Sequence, residues 1–139
     1  MTTTLAQQRA AFALEQLRGL NLKADDMKSL ATLLKGLPAT ILLNGFGQTL
    51  AYLLAKGAEK ESKTKTERTE KDYQDAFRLI TQWLRERRLI THQEPGGILH
   101  ELAQMYQPRY LQAQEEALAL LEWAKRFAAA GLGVREVTP

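Results

Sequence analysis

Residues 76–90 hold Arg78, Arg85, Arg87 and Arg88 against a single carboxylate, Glu86, so this stretch carries the chain's whole net charge of +3. Lys71, Arg78 and Arg85 are spaced seven apart, which keeps them near one line along a helix. They fall opposite Phe77, Ile80 and Leu84, so the pattern predicts an exposed cationic stripe flanked by Arg88. Arg87 turns toward the apolar side in this register unless the helix has ended. Such a stripe can follow a phosphate backbone, where affinity comes from displaced counterions and carries little sequence preference. Asp75, one turn from Arg78, dilutes it, and a plain solvated helix face is the competing reading. Lys125 with Arg126 forms a second, smaller basic spot.

The other reactive residue types do not converge. With no cysteine, thiolate nucleophiles, disulfides and thiolate metal sites are excluded. His100-Glu101-Leu102-Ala103-Gln104 begins like a zinc-protease helix, but Gln104 stands where the second histidine ligand belongs. His92, the other histidine, falls in a turn. Gly45-Phe46-Gly47-Gln48-Thr49 lacks the third glycine and the following lysine of a phosphate-cradling loop, so packing is the better reading. Asp25-Asp26 and Glu115-Glu116 are neighbours that point about 100° apart on a helix and cannot meet at one atom. Attraction to the positive end of a helix explains the aspartates better. Glu122 with Arg126 reads as a surface pair. Ser29 and Ser62 are the only serines, and neither suggests a triad. The reading is therefore of a chain with no catalytic residues, no metal ligands and no cofactor.

The elements that must carry these residues are helices. Leucine and alanine total 43 of 139 residues, against 6 for valine plus isoleucine, which favours helix and disfavours sheet. The expectation is an all-α fold, one domain over residues 1–139, built as a compact bundle of about six helices with a buried central helix. The opening MTTTLAQQRAAF has no secretory pattern, and the longest apolar stretch, Ile41 to Ala55, is too short and interrupted to span a bilayer. A cytoplasmic protein without a membrane partner is expected.

Periodicity places a first helix over 5–20 and a second over about 25–35, with Gly36 as its stop and Pro38 opening the next. Asn44-Gly45 could turn a hairpin, yet Ile41, Leu42 and Leu43 do not alternate with polar residues. The favoured reading is a buried helix over 38–56, in which Gly45 and Gly47 let a neighbour approach closely. Residues 57–70 contain no large apolar side chain and read as a mobile charged loop. Thr69 with Asp72 then resembles a capping box opening the arginine-bearing helix. A turn at 92–97 leads to a short helix over 98–106 ended by Pro108, and a last helix runs from about 109 to 130 with Gly131 as its stop.

Three stretches, RAAFALEQL, LPATILLNGFGQTLAYLLAKG and YLQAQEEALALLEWAKRFAAAG, cover 52 of the 139 residues and carry a family resemblance. Leu37-Pro38, Asn44-Gly45, Gly47-Gln48, Leu50-Ala51 and Lys56 fit the central motif. Glu116-Ala117-Leu118, Trp123 and Lys125-Arg126-Phe127 fit the terminal one. Together they resemble the small all-helical subunit of the Cmr-type (type III-B) CRISPR RNA-targeting effector complex. Phe46, Tyr52 and Ala124 depart from the expected leucine, phenylalanine and larger aliphatic residue, all of them packing positions.

The resemblance implies a non-catalytic structural subunit. Its partners would be the other subunits of the Cmr effector complex, neighbouring copies of itself, and guide and target RNA. On that resemblance, copies would stack beside a filament of backbone subunits, one of which would perform cleavage. The expected RNA contacts are Lys71, Arg78, Arg85, Arg87, Arg88, Lys125 and Arg126; the arginine stripe lies outside the motifs, so contact there rests on charge alone. A helical DNA-binding transcription regulator, with the arginine-bearing helix as its reader, is the alternative, although no tight helix-turn-helix pairing stands out.

Overall fold

Thr4 opens the first helix with a reciprocal cap. Its hydroxyl accepts from the Gln7 backbone N–H at 3.1 Å, and the Gln7 side-chain oxygen accepts from the Thr4 N–H at 2.7 Å. The computed structural model describes residues 2–59 and 67–135. Among them run α1 (Leu5–Gly19), α2 (Ala24–Asn44), α3 (Phe46–Ala58), α4 (Glu67–Glu86), α5 (Pro95–Ala103) and α6 (Gln107–Ala129). No strand occurs among the described residues, so the all-α expectation holds.

The helix boundaries between 25 and 56 differ from the expected ones. Helix α2 passes through Gly36 and Pro38 and ends at Asn44. Its buried side chains, Met27, Leu30, Leu34, Leu37 and Ile41, alternate spacings of three and four without interruption. That continuous stripe outweighs the local stop signals, because breaking at Gly36 would turn Leu37 and Ile41 out of the core. Pro38 removes one helix hydrogen bond, at a generic cost of about 3 kcal/mol, which burial on both sides of it offsets. Asp25 and Asp26 do occupy the first turn.

The break falls instead at Gly45, whose φ of 92° and ψ of 156° lie in a region essentially reserved for glycine. Asn44-Gly45 is a chain reversal, but between two helices rather than two strands. The expected single buried helix over 38–56 is thus divided, and Leu42 and Leu43 are 69% and 83% exposed at the end of α2. Gly45 permits a backbone angle and meets no neighbour. Gly47 does admit a close neighbour: its N–H donates to the Tyr110 hydroxyl at 2.8 Å. Gly45→Ala should cost about 1–3 kcal/mol, seen as a lower midpoint in urea with an unchanged slope.

Both ends of the expected loop over 57–70 are helical. Gly57 and Ala58 belong to α3, the helix α4 begins at Glu67, and residues 60–66 lie outside the described residues. Thr69 therefore sits inside α4 and does not cap it. The Asp72 carboxylate is buried and accepts a hydrogen bond from the Ser29 hydroxyl of α2. Gly57 lets α4 come close, since Gln74 occupies the space a Cβ would need and donates to the Gly57 carbonyl at 2.7 Å.

Helix α5 starts earlier than expected. The Glu94 carboxylate accepts from the Gly96 and Gly97 N–H groups, and Pro95 fills the first turn. Pro108 likewise lies in the first turn of α6 rather than ending the helix before it. Gly131, at φ 75°, does end α6, with Leu132 N–H bonded back to the Phe127 carbonyl at 3.0 Å.

Helix α6 packs on α1 and α2, α3 packs on α4, and α4 also meets α2 and α6. One cluster of buried side chains joins them, with Leu17, Leu34, Phe46, Leu50, Ile80, Leu84 and Leu120 at its centre. Of the three departures from the resembled pattern, two are core packing residues, and the third, Tyr52, is 42% exposed. Phe46 and Ala124 are fully buried, and Tyr52 stands edge-on to Tyr73 at 5.8 Å. The Tyr52 hydrogen bond and burial push the Tyr73 phenol up to about 12.

Candidate nucleic-acid interface

Helix α4 presents the cationic stripe with the spacing that its sequence requires. Lys71 and Arg78 are exposed and Arg85 is half-buried. Arg78 Nη1 lies 3.6 Å from Asp75 Oδ1, an exposed guanidinium beside a largely buried carboxylate. Arg85 Nη1 donates to the His92 carbonyl at 3.3 Å, which holds its guanidinium against the turn after α4.

Arg88 owes its position to the end of α4. It adopts φ 58°, with its N–H bonded to the Arg85 carbonyl and the Leu89 N–H bonded to the Leu84 carbonyl. Glycine usually fills that position, because the left-handed conformation costs other residues about 1–2 kcal/mol. Arg109 of α6 offsets the strain by donating to the Arg88 carbonyl at 2.8 Å and the Leu89 carbonyl at 3.3 Å. The Arg88 side chain is left exposed on the same surface as Arg85, where both line one shallow hollow. Arg109→Ala should therefore loosen this turn and cost about 1–3 kcal/mol, with faster amide exchange at Arg88 to Ile90.

Arg87 goes elsewhere. Its N–H still reaches the Trp83 carbonyl at 2.9 Å, so the helical register carries one residue past α4 and turns the side chain to the apolar side. The guanidinium lies 6.0 Å from the Trp83 ring centroid, and its Nε is buried with no hydrogen-bond partner among the described residues. Beneath it is a charged cluster that sequence spacing does not reveal. Glu116 of α6 accepts from Arg9 of α1 at 3.1 and 2.7 Å and from the Trp83 indole N–H at 2.9 Å. Burial alone would raise the Glu116 carboxyl. The Arg9 and Trp83 hydrogen bonds and the charges of Arg9 and Arg87 outweigh it, and the carboxyl is held below its usual range.

Lys125 and Arg126 belong to a separate surface between α2 and α6. Both pair with Glu122, at 2.7 and 3.5 Å, and the Lys125 hydrogen bond holds that carboxyl below its usual range. They line a groove of about 480 Å³ together with Lys28 and Lys35. Lys28 and Lys35 were not singled out from the sequence, although their seven-residue spacing matches that of the α4 stripe. Four cations thus border one groove, and none of its lining residues lies on α4.

One histidine and one further carboxylate, His92 and Glu101, have structural partners. His92 Nδ1 lies 2.8 Å from Glu101, which also accepts from the Thr91 and His92 N–H groups and ties α5 to the preceding turn. His100 is exposed. Among the described residues, no group of three or more histidine, aspartate or glutamate side chains could hold a metal ion, and no helix is long and apolar enough to cross a membrane.

The class defined here is a small all-helical protein with two separate cationic surfaces, one on α4 and one between α2 and α6. A family model described as CRISPR-associated protein (Cas_Cmr5) matches residues 5–131, and the chain belongs to that family. It is a Cmr-type effector subunit, a member of an assembly with other Cmr subunits. The match runs through the middle of the chain, including α4, which the three motif stretches leave out.

Proposed function

We propose that this chain, as one domain over residues 1–139, is a non-catalytic structural subunit of an RNA-guided effector. It stacks beside the backbone filament and beside copies of itself, and it contacts guide or target RNA through exposed cations. The observation that carries this reading is the convergence of Arg78, Arg85 and Arg88 on adjoining hollows at the C-terminal end of α4, with Lys71 two turns earlier. Arg87, engaged with Trp83, supports the surface from beneath rather than forming part of it. Lys125 and Arg126, with Lys28 and Lys35, form a second and separable contact.

Charge on a helix face reads phosphates and not bases, so binding should be salt-sensitive and indifferent to sequence. If Lys71, Arg78, Arg85 and Arg88 neutralise about four phosphates of a single strand, log affinity falls against log salt with a slope of about −3. Fluorescence anisotropy with unrelated RNA oligonucleotides over a salt series measures that slope. A slope near zero sinks the electrostatic contact. A strong preference for one duplex DNA site would favour the regulator reading instead.

A further inference from the structure

Beside the α4 stripe lies a hollow of about 430 Å³ between α3, α4 and the turn leading into α5. That volume falls within the range of small-molecule sites. Its composition is more specific than its size. The half-buried Leu54 supplies the apolar floor, with Phe77, 7% exposed, and the fully buried Leu53 behind it. Gln82, Gln93, Thr81, Arg78 and Arg85 are also among the lining residues. None of the lining residues is acidic. The Gln74 amide, also in the wall, is already committed to the Gly57 carbonyl.

An apolar floor, amides offering both donor and acceptor, and guanidinium groups together match three parts of a nucleotide: the face of its base, the edge of its base and its phosphate. The hollow also continues. Gln82, Arg85 and Gln93 line a second hollow next to it, which adds Arg88, Phe12, Gln16 and one carboxylate, Glu86. Two hollows sharing three residues form a track, which suits consecutive nucleotides of a strand better than an isolated metabolite. A base paired in a duplex could not enter, because its edge is occupied and its faces are stacked.

We propose that the α3–α4 hollow receives one unpaired base of a single RNA strand, with the adjoining phosphates on Arg78 and Arg85. This rests on the RNA-contacting reading above and adds a base-binding site to it. Backbone contact then comes from the arginines, and the hollow adds sequence-tolerant burial of one base.

The test is an amide-detected NMR titration of the full chain with AMP and, separately, with ribose 5-phosphate, which carries the phosphate but no base. AMP should shift Leu53, Leu54, Phe77 and Gln82 saturably, and ribose 5-phosphate should bind at least about tenfold more weakly, the loss expected for one stacked base. Ala58→Trp, at an exposed position of the hollow's wall, fills the space while leaving both arginines and should abolish the AMP shifts. Gln82→Ala is the milder change; it should weaken AMP several-fold and keeps the test decisive if A58W does not fold. Equal responses to AMP and ribose 5-phosphate, shifts confined to the α2–α6 groove, or no shifts would each overturn the proposal. The wider RNA reading is judged separately by oligonucleotide binding. Oligonucleotide binding that A58W and Q82A leave unchanged, with no AMP response, sinks the hollow alone. AMP binding without oligonucleotide binding overturns both, because the base proposed for the hollow belongs to an RNA strand.

Discussion

Glu116→Ala should lower the stability of the free chain by about 3 kcal/mol, and the melting temperature of a domain this size by about 10 °C. The carboxylate has three donors to lose, two from Arg9 and one from the Trp83 indole, and Arg87 adds its charge nearby. Removing it leaves the Arg9 guanidinium half-buried, the indole N–H buried, and both without an acceptor, which is costlier than the pair itself is favourable. Replacing Arg9 by methionine in the same chain should recover part of the loss, since an apolar isostere needs no partner. The pH dependence has a definite sign. The Glu116 carboxyl lies below its ordinary value of 4.5 in the folded chain, so its stabilisation is fully present above that value. It is lost as pH falls through the depressed folded value. Glu116→Gln should flatten that acid limb. Urea titrations at neutral pH and at pH 4 read both effects, and equal stabilities of wild type and E116A would refute the network's role.

The second large effect is on RNA. Reversing Arg78, Arg85 and Arg88 together to glutamate should weaken RNA binding about 100-fold at moderate salt, taking about 1 kcal/mol for each of three phosphate contacts. The salt slope should collapse toward zero in parallel. Circular dichroism should stay unchanged, because none of the three lies in the buried core. Arg87→Glu alone is predicted to behave differently. It places a second carboxylate beside Glu116 and should lower stability with little specific effect on the salt slope. Lys28→Glu with Lys35→Glu tests the α2–α6 groove independently. An unchanged affinity in the triple variant would move the RNA contact away from α4.

What was legible in the sequence was what local periodicity encodes. The helical class, the register of Lys71, Arg78 and Arg85, and the stop at Gly131 all follow from spacing within one helix. The division of residues 24–58 is not legible locally, because Gly36 and Pro38 are local stop signals, whereas the stripe from Met27 to Ile41 wins through tertiary burial. Asn44-Gly45 carries a hairpin signal and the apolar run around it favours one continuous helix, whereas the chain breaks there between two helices. The Glu116 cluster was illegible for another reason. Arg9 and Glu116 are 107 residues apart, and only the docking of α1 on α6 brings them together. The same holds for Lys28 and Lys35, whose meaning depends on α6 bringing Lys125 and Arg126 to the other side of the groove. Arg87 shows how narrow the margin is: one residue of helical register separates a core-facing cation from the exposed Arg88.

The central claim is that the end of α4 meets RNA inside the assembly. The most direct measurement is purification of the assembly through this chain at its natural level, followed by ultraviolet cross-linking and mass spectrometry of nucleotide-bearing peptides. The account predicts co-purifying Cmr subunits, with nucleotide adducts on peptides spanning residues 71–93. Adducts absent from that region, or a chain recovered alone or on duplex DNA, would contradict it.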